Sequence, residues 1–183
     1  MSTDDWCTPH VVDVCLYDFF GGPADLDPCS NNRSIMRARK ALTAGGLHLP
    51  WRKKTYSNPP YSQMLPWVEK GVREMTLDPK TAKARAHCEE LVTLWPVAPS
   101  TIWWKRAVGL EPIPAMVKGG REITAMNPTL IFTKRLAFID ESGQAVSGCR
   151  FDSVLFFYGA KERRHKDFLH AFAPLINWST RGR

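Results

Sequence analysis

Apolar and polar positions along this chain follow two periods, and the switches between them mark its elements. In "VVDVCLYDFF" (Val11–Phe20) the apolar residues recur three and four apart, which is the period of a helix with one buried face. Thr8-Pro9 stands before this run as a cap and a first-turn proline. "MLPWVEKGVREM" (Met64–Met75) repeats the pattern, with Leu65, Val68 and Val72 on one side. Ser100–Val108, opened by Ser100 or Thr101, is a third helix, and Asp167–Phe172 a short closing one. Arg33–Thr43 has helix-like composition, and another helix is expected after the turn "LDPK" in the polar stretch Thr76–Glu90. Short apolar runs bounded by turn signals read instead as strands. These are "KTYS" from Lys54, "ELVTLWPV" from Glu90, "TLIFT" and "RLAFID" on either side of Lys134, and "SVLFFYG" from Ser153. "ADLDPCS" from Ala24 reads as a strand that runs into a turn.

Strands alternating with helices predict an α/β domain, a sheet with helices on its faces. No internal repeat interrupts the order. Ligands of such sheets sit beyond the carboxyl ends of the strands. "LDPCS", "YSNPPY" and "LWPVAPS" all lie at predicted strand ends, so they are expected to converge on one crevice.

Composition narrows the class. A chain of 183 residues with 44% hydrophobic content is long enough for one well-cored domain and is not disordered. Its longest apolar runs are too short to span a bilayer, and the start "MSTDDW" is too polar for a secretory signal. The five cysteines are odd in number and lack metal-ligand spacing, which argues against a disulfide frame and a zinc site and for reduced thiols in a cytoplasm. The net charge of +7 suits a polyanionic partner. Arg33, Arg37, Arg39 and Lys40 form one basic group, Lys161 to Lys166 another. Arg52, Lys53 and Lys54 form a third, directly before "TYSNPPY". Basic side chains flanking a candidate active loop point to nucleic acid.

Asn58-Pro59-Pro60-Tyr61 carries the chemistry. Two adjacent prolines donate no backbone hydrogen bond, and they push Asn58 out of the helical region. The result is a stiff loop presenting one amide, its carbonyls and one ring. The Asn58 side-chain oxygen and the Pro59 carbonyl are fixed acceptors, suited to the two hydrogens of one exocyclic amine. The Tyr61 ring offers a face for a planar base. Catalysis on such a loop is mainly positioning and stabilisation of developing positive charge, with no strong base required. Asp27 also ends a predicted strand, where a bound cofactor is expected. Arg135, with Phe138 three residues on, is a basic side chain directed toward substrate; Pro96, Ser100 and Thr101 border the crevice. Trp67, Trp103 and Trp104 read as core.

The tetrapeptide resembles the signature of amino-methyltransferases that use S-adenosylmethionine. In order along the chain, "WCTPHVVDV", "LDPCSNN", "GLHLPW", "NPPYSQMLPWVEK", "LVTLWPVAPSTIWW", "KRLAFID" and "DSVLFFYG" resemble successive elements of the phage-type Dam family of DNA adenine-N6 methyltransferases. The likeness spans roughly Trp6 to Gly159. No glycine-rich cofactor turn is present; "DPCSNN" takes its place, and Lys134 stands where the family usually has glycine.

The resemblance implies a compact Rossmann-like class I methyltransferase fold, with a mixed, mostly parallel sheet and helices on both faces. Residues 1–160 would form the methyltransferase domain and residues 161–183 a basic C-terminal extension packed on it or frayed from it. The implied cofactor is S-adenosylmethionine, held by Trp6, Thr8, Pro9, Asp27, Pro28, Cys29, Ser30 and Asn58. The implied catalytic loop is Asn58, Pro59, Pro60 and Tyr61. Tyr61, Arg52, Lys53, Lys54 and Arg135 would meet DNA, with Thr76–Glu90 and Glu111–Thr129 as the segments that read bases. The partner would be double-stranded DNA, the enzyme a monomer or weak dimer, and the compartment a bacterial or phage-infected cytoplasm. An N4-cytosine or protein-glutamine methyltransferase, and a non-catalytic DNA-binding relative, share the tetrapeptide's chemistry or its descent and stay open.

Overall fold

The computed structural model describes residues 6–76, 88–109, 129–132, 135–140, 142–146, 151–159 and 161–176. Four strands form its sheet: β1 (Lys54–Ser57), β2 (Glu90–Pro96), β3 (Thr129–Ile131) and β4 (Ser153–Gly159), in the order β1-β2-β4-β3. β1 pairs with β2 in parallel, and β4 runs antiparallel to both β2 and β3. The sheet is therefore mixed: β1, β2 and β3 point one way and β4 reverses. Beyond β1, isolated parallel bridges join Leu26 to Thr55, Ala24 to Ala38 and Asp27 to Ala41.

Successive strand side chains point to opposite faces, and both faces are covered. Tyr56, Val92, Leu94, Leu155 and Phe157 meet α1 (His10–Phe20) and α4 (Glu162–Ile176) through Leu16, Phe19, Phe168 and Phe172. Leu91, Trp95, Phe156 and Tyr158 meet α2 (Met64–Thr76) and α3 (Ile102–Ala107) through Trp67, Val68, Val72 and Trp103. Burial on both faces explains why "ELVTLWP" and "SVLFFYG" are nearly continuous apolar runs.

Three expectations need correction. Arg33–Thr43 is not a helix. The Asn31 side chain accepts from Arg33 N at 2.9 Å, and Ser34 Oγ accepts from Met36 N at 3.2 Å. Such local bonds compete with helical ones. Arg37 is then held by buried Asp13, which accepts from its backbone at 2.9 Å and from its Nε at 2.8 Å. The segment lies extended beside residues 24–27, donating and accepting at Ala24 and Asp27. "ADLDPCS" and "RLAFID" form isolated bridges rather than continuous strands. The closing helix is longer than Asp167–Phe172, because α4 begins at Glu162 and runs to Ile176.

The helix expected after "LDPK" and the base-reading stretches fall largely on residues 77–87 and 110–128, outside the described residues; so do Lys134 and the tail 177–183. Among the described residues no helix is long and apolar enough to cross a membrane.

Candidate active site

β1 delivers Asn58 to the carboxyl edge of the sheet, where two other segments meet it. The strand stops there because Pro59 and Pro60 have no N–H to extend the ladder. Pro60 is extended (φ −54°, ψ 122°), and its carbonyl accepts from Gln63 N at 3.1 Å. A single 3-10 turn, Tyr61–Gln63, then feeds directly into α2. The amide is thus fixed between the end of β1 and a helix.

The first neighbour is the segment before α1. α1 runs antiparallel to β1: at one end Lys54 Nζ donates to Phe20 O at 2.5 Å, and at the other Asn58 Nδ2 donates to Thr8 Oγ1 at 3.3 Å. Thr8 Oγ1 also lies 2.9 Å from the buried Tyr56 hydroxyl. Thr8 does not cap the helix as its sequence suggests. Pro9 occupies the N-cap, with no side-chain cap, and its carbonyl accepts from Val12 N and Asp13 N at 3.0 and 3.3 Å.

The second neighbour is the turn Asp27–Ser30. Asp27 Oδ1 accepts from Cys29 N at 3.2 Å, an Asx turn that reverses the chain. Backbone bonds from Asp27 N to Lys40 O, Leu42 N to Asp27 O and Ser30 N to Leu42 O fix its outer side. Cys29 Sγ lies 3.4 Å from Ser57 Oγ, so the turn touches the residue next to Asn58. Gly46 packs beneath it: a Cβ there would lie 1.8 Å from Pro28 O. Asp27 is 4% exposed. Burial raises its carboxyl from 3.8 to about 6, against the opposing bonds from Cys29 and Ser30. Burial, and then the Asp27 charge, push the Cys29 thiol well above its ordinary value.

Four rings, those of Trp6, Tyr61, Phe138 and Phe151, cluster beside the Asn58 loop. The segment 135–140 reaches the site because Ile139 pairs with Cys7, with N–O distances of 2.9 and 3.2 Å. This sets Phe138 5.7 Å from Trp6 and 6.2 Å, edge-on, from Tyr61. Phe151 lies 5.1 Å from Tyr61 and 6.1 Å from Trp6. Tyr61 OH is 3.5 Å from Leu94 O, near the end of β2. Sequence reasoning missed Phe151, a lone aromatic outside any periodic run, and it missed the link from Tyr56 to Thr8, which spans 48 residues.

Trp6, Thr8, Pro9, the Asp27–Ser30 turn and Asn58–Tyr61 therefore come together. Arg135 is exposed near the end of β4 where the strand begins, 3.5 Å from Asp152. Thr101 caps α3 by accepting from Trp104 N, and Pro96 ends β2. Arg52, Lys53 and Lys54 are not brought to the crevice. They lie at the start of β1, the opposite end from Asn58. There Lys53 pairs with Glu89 at 3.3 Å, and Lys54 is bound to Phe20 O.

The family model described as DNA N-6-adenine-methyltransferase (Dam) matches residues 1–168. No curated protein and no solved structure matches the chain.

Proposed function

Because the chain belongs to the Dam family of DNA N-6-adenine-methyltransferases, enzymes that methylate adenine N6 in DNA with S-adenosylmethionine, we propose that the Asn58–Tyr61 loop is its catalytic centre. The observation that carries this reading is the junction of three segments at one strand end: Asn58 meets the residues before α1 through Thr8, and Ser57 meets the Asp27–Ser30 turn through Cys29. On this reading the fold is the Rossmann-like class I methyltransferase arrangement, in which β4 runs against its neighbours β2 and β3. Residues 1–160 form the methyltransferase domain, and residues 161–183 are a basic C-terminal extension whose helix α4 packs on the sheet through Phe168 and Phe172. The substrate is double-stranded DNA, the enzyme a monomer or weak dimer in the cytoplasm of a bacterial or phage-infected cell.

Asp27, Pro28, Cys29 and Ser30 hold the cofactor with Trp6, Pro9 and the backbone, not the hydroxyl, of Thr8. The residues fit it: a buried carboxyl whose charged form is costly gains most from the hydroxyl donors of a ribose. When bound, S-adenosylmethionine supplies an electrophilic methyl on sulfur. Asn58 Oδ1 and the Pro59 carbonyl accept the two N6 hydrogens, which aims the nitrogen lone pair at that methyl. Methyl transfer to N6 would leave a positive charge on that nitrogen. The two acceptors would stabilise that charge until N6 gives its extra proton to water. The amine of a paired adenine is stacked out of reach, so the base must be extruded at a cost of a few kcal/mol. Tyr61 stacks on it and recovers roughly 1–3 kcal/mol. Arg135, on the crevice side, contacts phosphate.

The experiment is methylation of duplex DNA by wild type and Asn58→Ala, with the products hydrolysed and weighed as nucleosides. Wild type should yield N6-methyladenine, and Asn58→Ala should lose roughly 10²–10³ in turnover. Equal turnover would remove Asn58 from the centre.

A further inference from the structure

The hydroxyl of Thr8 is spent on neither the helix it precedes nor solvent. Thr8 is 4% exposed, and its Oγ1 sits 2.9 Å from the Tyr56 hydroxyl and 3.3 Å from Asn58 Nδ2. Tyr56 and Asn58 are two apart across the end of β1, so their side chains leave the same face. That face is the one α1 covers, and Thr8 arrives on it as the residue before the Pro9 N-cap. Three polar groups from two distant parts of the chain thus form a short hydrogen-bonded series, Tyr56–Thr8–Asn58, buried at Tyr56 and Thr8 and half-buried at Asn58.

An asparagine amide is nearly symmetric in shape but not in chemistry: one end accepts and the other donates. Only the accepting end suits an amine that must shed positive charge. Turned round, the Nδ2 hydrogens would face the N6 hydrogens, donor against donor. The bond to Thr8 engages Nδ2 and directs Oδ1 away from it. The Tyr56 hydroxyl, wholly buried, holds the Thr8 oxygen at that spot. We infer that the Thr8 hydroxyl gives its hydrogen to Tyr56 and so accepts from Asn58 Nδ2, which makes Thr8 and Tyr56 positioning residues that set which end of the Asn58 amide faces the substrate, rather than groups whose hydroxyls serve the cofactor. The inference rests on the reading that Asn58 receives the adenine amine.

The test is a double-mutant cycle in single-turnover methylation at saturating S-adenosylmethionine, with cofactor binding measured by calorimetry. Thr8→Val keeps shape and loses the hydroxyl. It should slow methyl transfer roughly three- to tenfold, the worth of one net hydrogen bond. Thr8→Ser should restore the rate, and Tyr56→Phe should slow transfer in the same sense. In an Asn58→Ala background Thr8→Val should cost nothing further, because it acts through Asn58. Cofactor affinity should move by less than about twofold in each Thr8 and Tyr56 variant. An equal slowing by Thr8→Val in the Asn58→Ala background would overturn the inference. So would weakened cofactor binding with an unchanged saturated rate, which would make Thr8 a cofactor ligand. Wild-type turnover by Asn58→Ala would remove the underlying reading of Asn58 itself, a result the cycle separates from the other two.

Discussion

Asp27 shows how a single residue can be legible by position and illegible by state. Its place at a turn is visible in "LDPCS", because Asp-Pro marks a local turn. Its burial depends on Leu42, Gly46 and Ser57 meeting around the turn, and no local pattern encodes that. The consequence is a pH dependence with a definite sign. Below pH 3.8 the carboxyl is protonated folded or unfolded and costs nothing. Between 3.8 and about 6 the unfolded chain ionises while the folded one stays protonated, so stability falls as pH rises. Above about 6 the full cost is present, about 3 kcal/mol for a shift of this size. Asp27→Asn should remove that fall, and the difference between mutant and wild-type melting temperatures should grow from pH 4 to pH 6 and then level off. Parallel curves would show that Asp27 is not buried in this way. Cofactor affinity should run the other way, rising through pH 6 in wild type and staying flat in Asp27→Asn, because protonation competes with hydroxyl donors. Tyr61 is the complementary case. Its ring is held by Phe138 and Phe151, and the ring rather than the hydroxyl is the part proposed to meet the base, so Tyr61→Phe should stay active while Tyr61→Ala should not. Equal impairment of the two in a methylation assay would rule out stacking as its role.

Elements were legible where one residue class decided them. β1, β2, β4, α1 and α2 fall within a residue or two of the runs that predict them, because buried strands and one-sided helices write their period directly into sequence. Arg33–Thr43 was not legible: its composition is helical, but Asn31 and Ser34 capture the backbone locally and Asp13, from α1, anchors Arg37. The decisive partner lies 24 residues away. The glycines of "GGLHLPW" carry a similar lesson. Gly45 has a left-handed backbone (φ +77°), yet a Cβ there would meet only Leu49 at 3.7 Å. Gly46 has no such need, but a Cβ would drive into the Pro28 carbonyl. Gly45→Ala should therefore cost about 1–2 kcal/mol of stability and leave cofactor affinity unchanged. Gly46→Ala should cost about 1–3 kcal/mol and also weaken the cofactor, because the Asp27–Ser30 turn must move. Calorimetric titration of both variants checks the contrast, and equal cofactor affinity in both would show that Gly46 does not set the turn.

At the scale of the whole molecule the sheet has two ends with different electrostatic duties, and the net charge of +7 does not tell them apart. The end where β1 and β2 begin opens into a cleft of about 470 Å³ whose charges are already matched. Lys53 pairs with Glu89, Arg164 grips Glu90 at 2.6 and 2.9 Å, and Lys54 is tied to the end of α1. The other end carries the Asn58 loop, with exposed Arg135 nearby in a loose 3.5 Å contact to Asp152. Lys54 and Asn58 are separated by about 13 Å of extended chain. That exceeds a Debye length of about 10 Å at 0.1 M salt, so phosphates seated at the crevice are screened from the Lys53 cluster. Adjacency in sequence made Arg52–Lys54 look like a flank of the active loop; a strand of four residues carries them to the far side of the sheet. DNA affinity should fall linearly on a double-logarithmic plot against salt as phosphates shed their counterions. Arg135→Glu should reduce the magnitude of that slope by about one, and Lys53→Glu should leave it unchanged. Anisotropy titrations of a labelled duplex across a salt series read both slopes. If Lys53→Glu flattens the slope as much as Arg135→Glu does, the DNA crosses the beginning of β1 rather than its end, and the placement of substrate over the Asn58 loop is wrong.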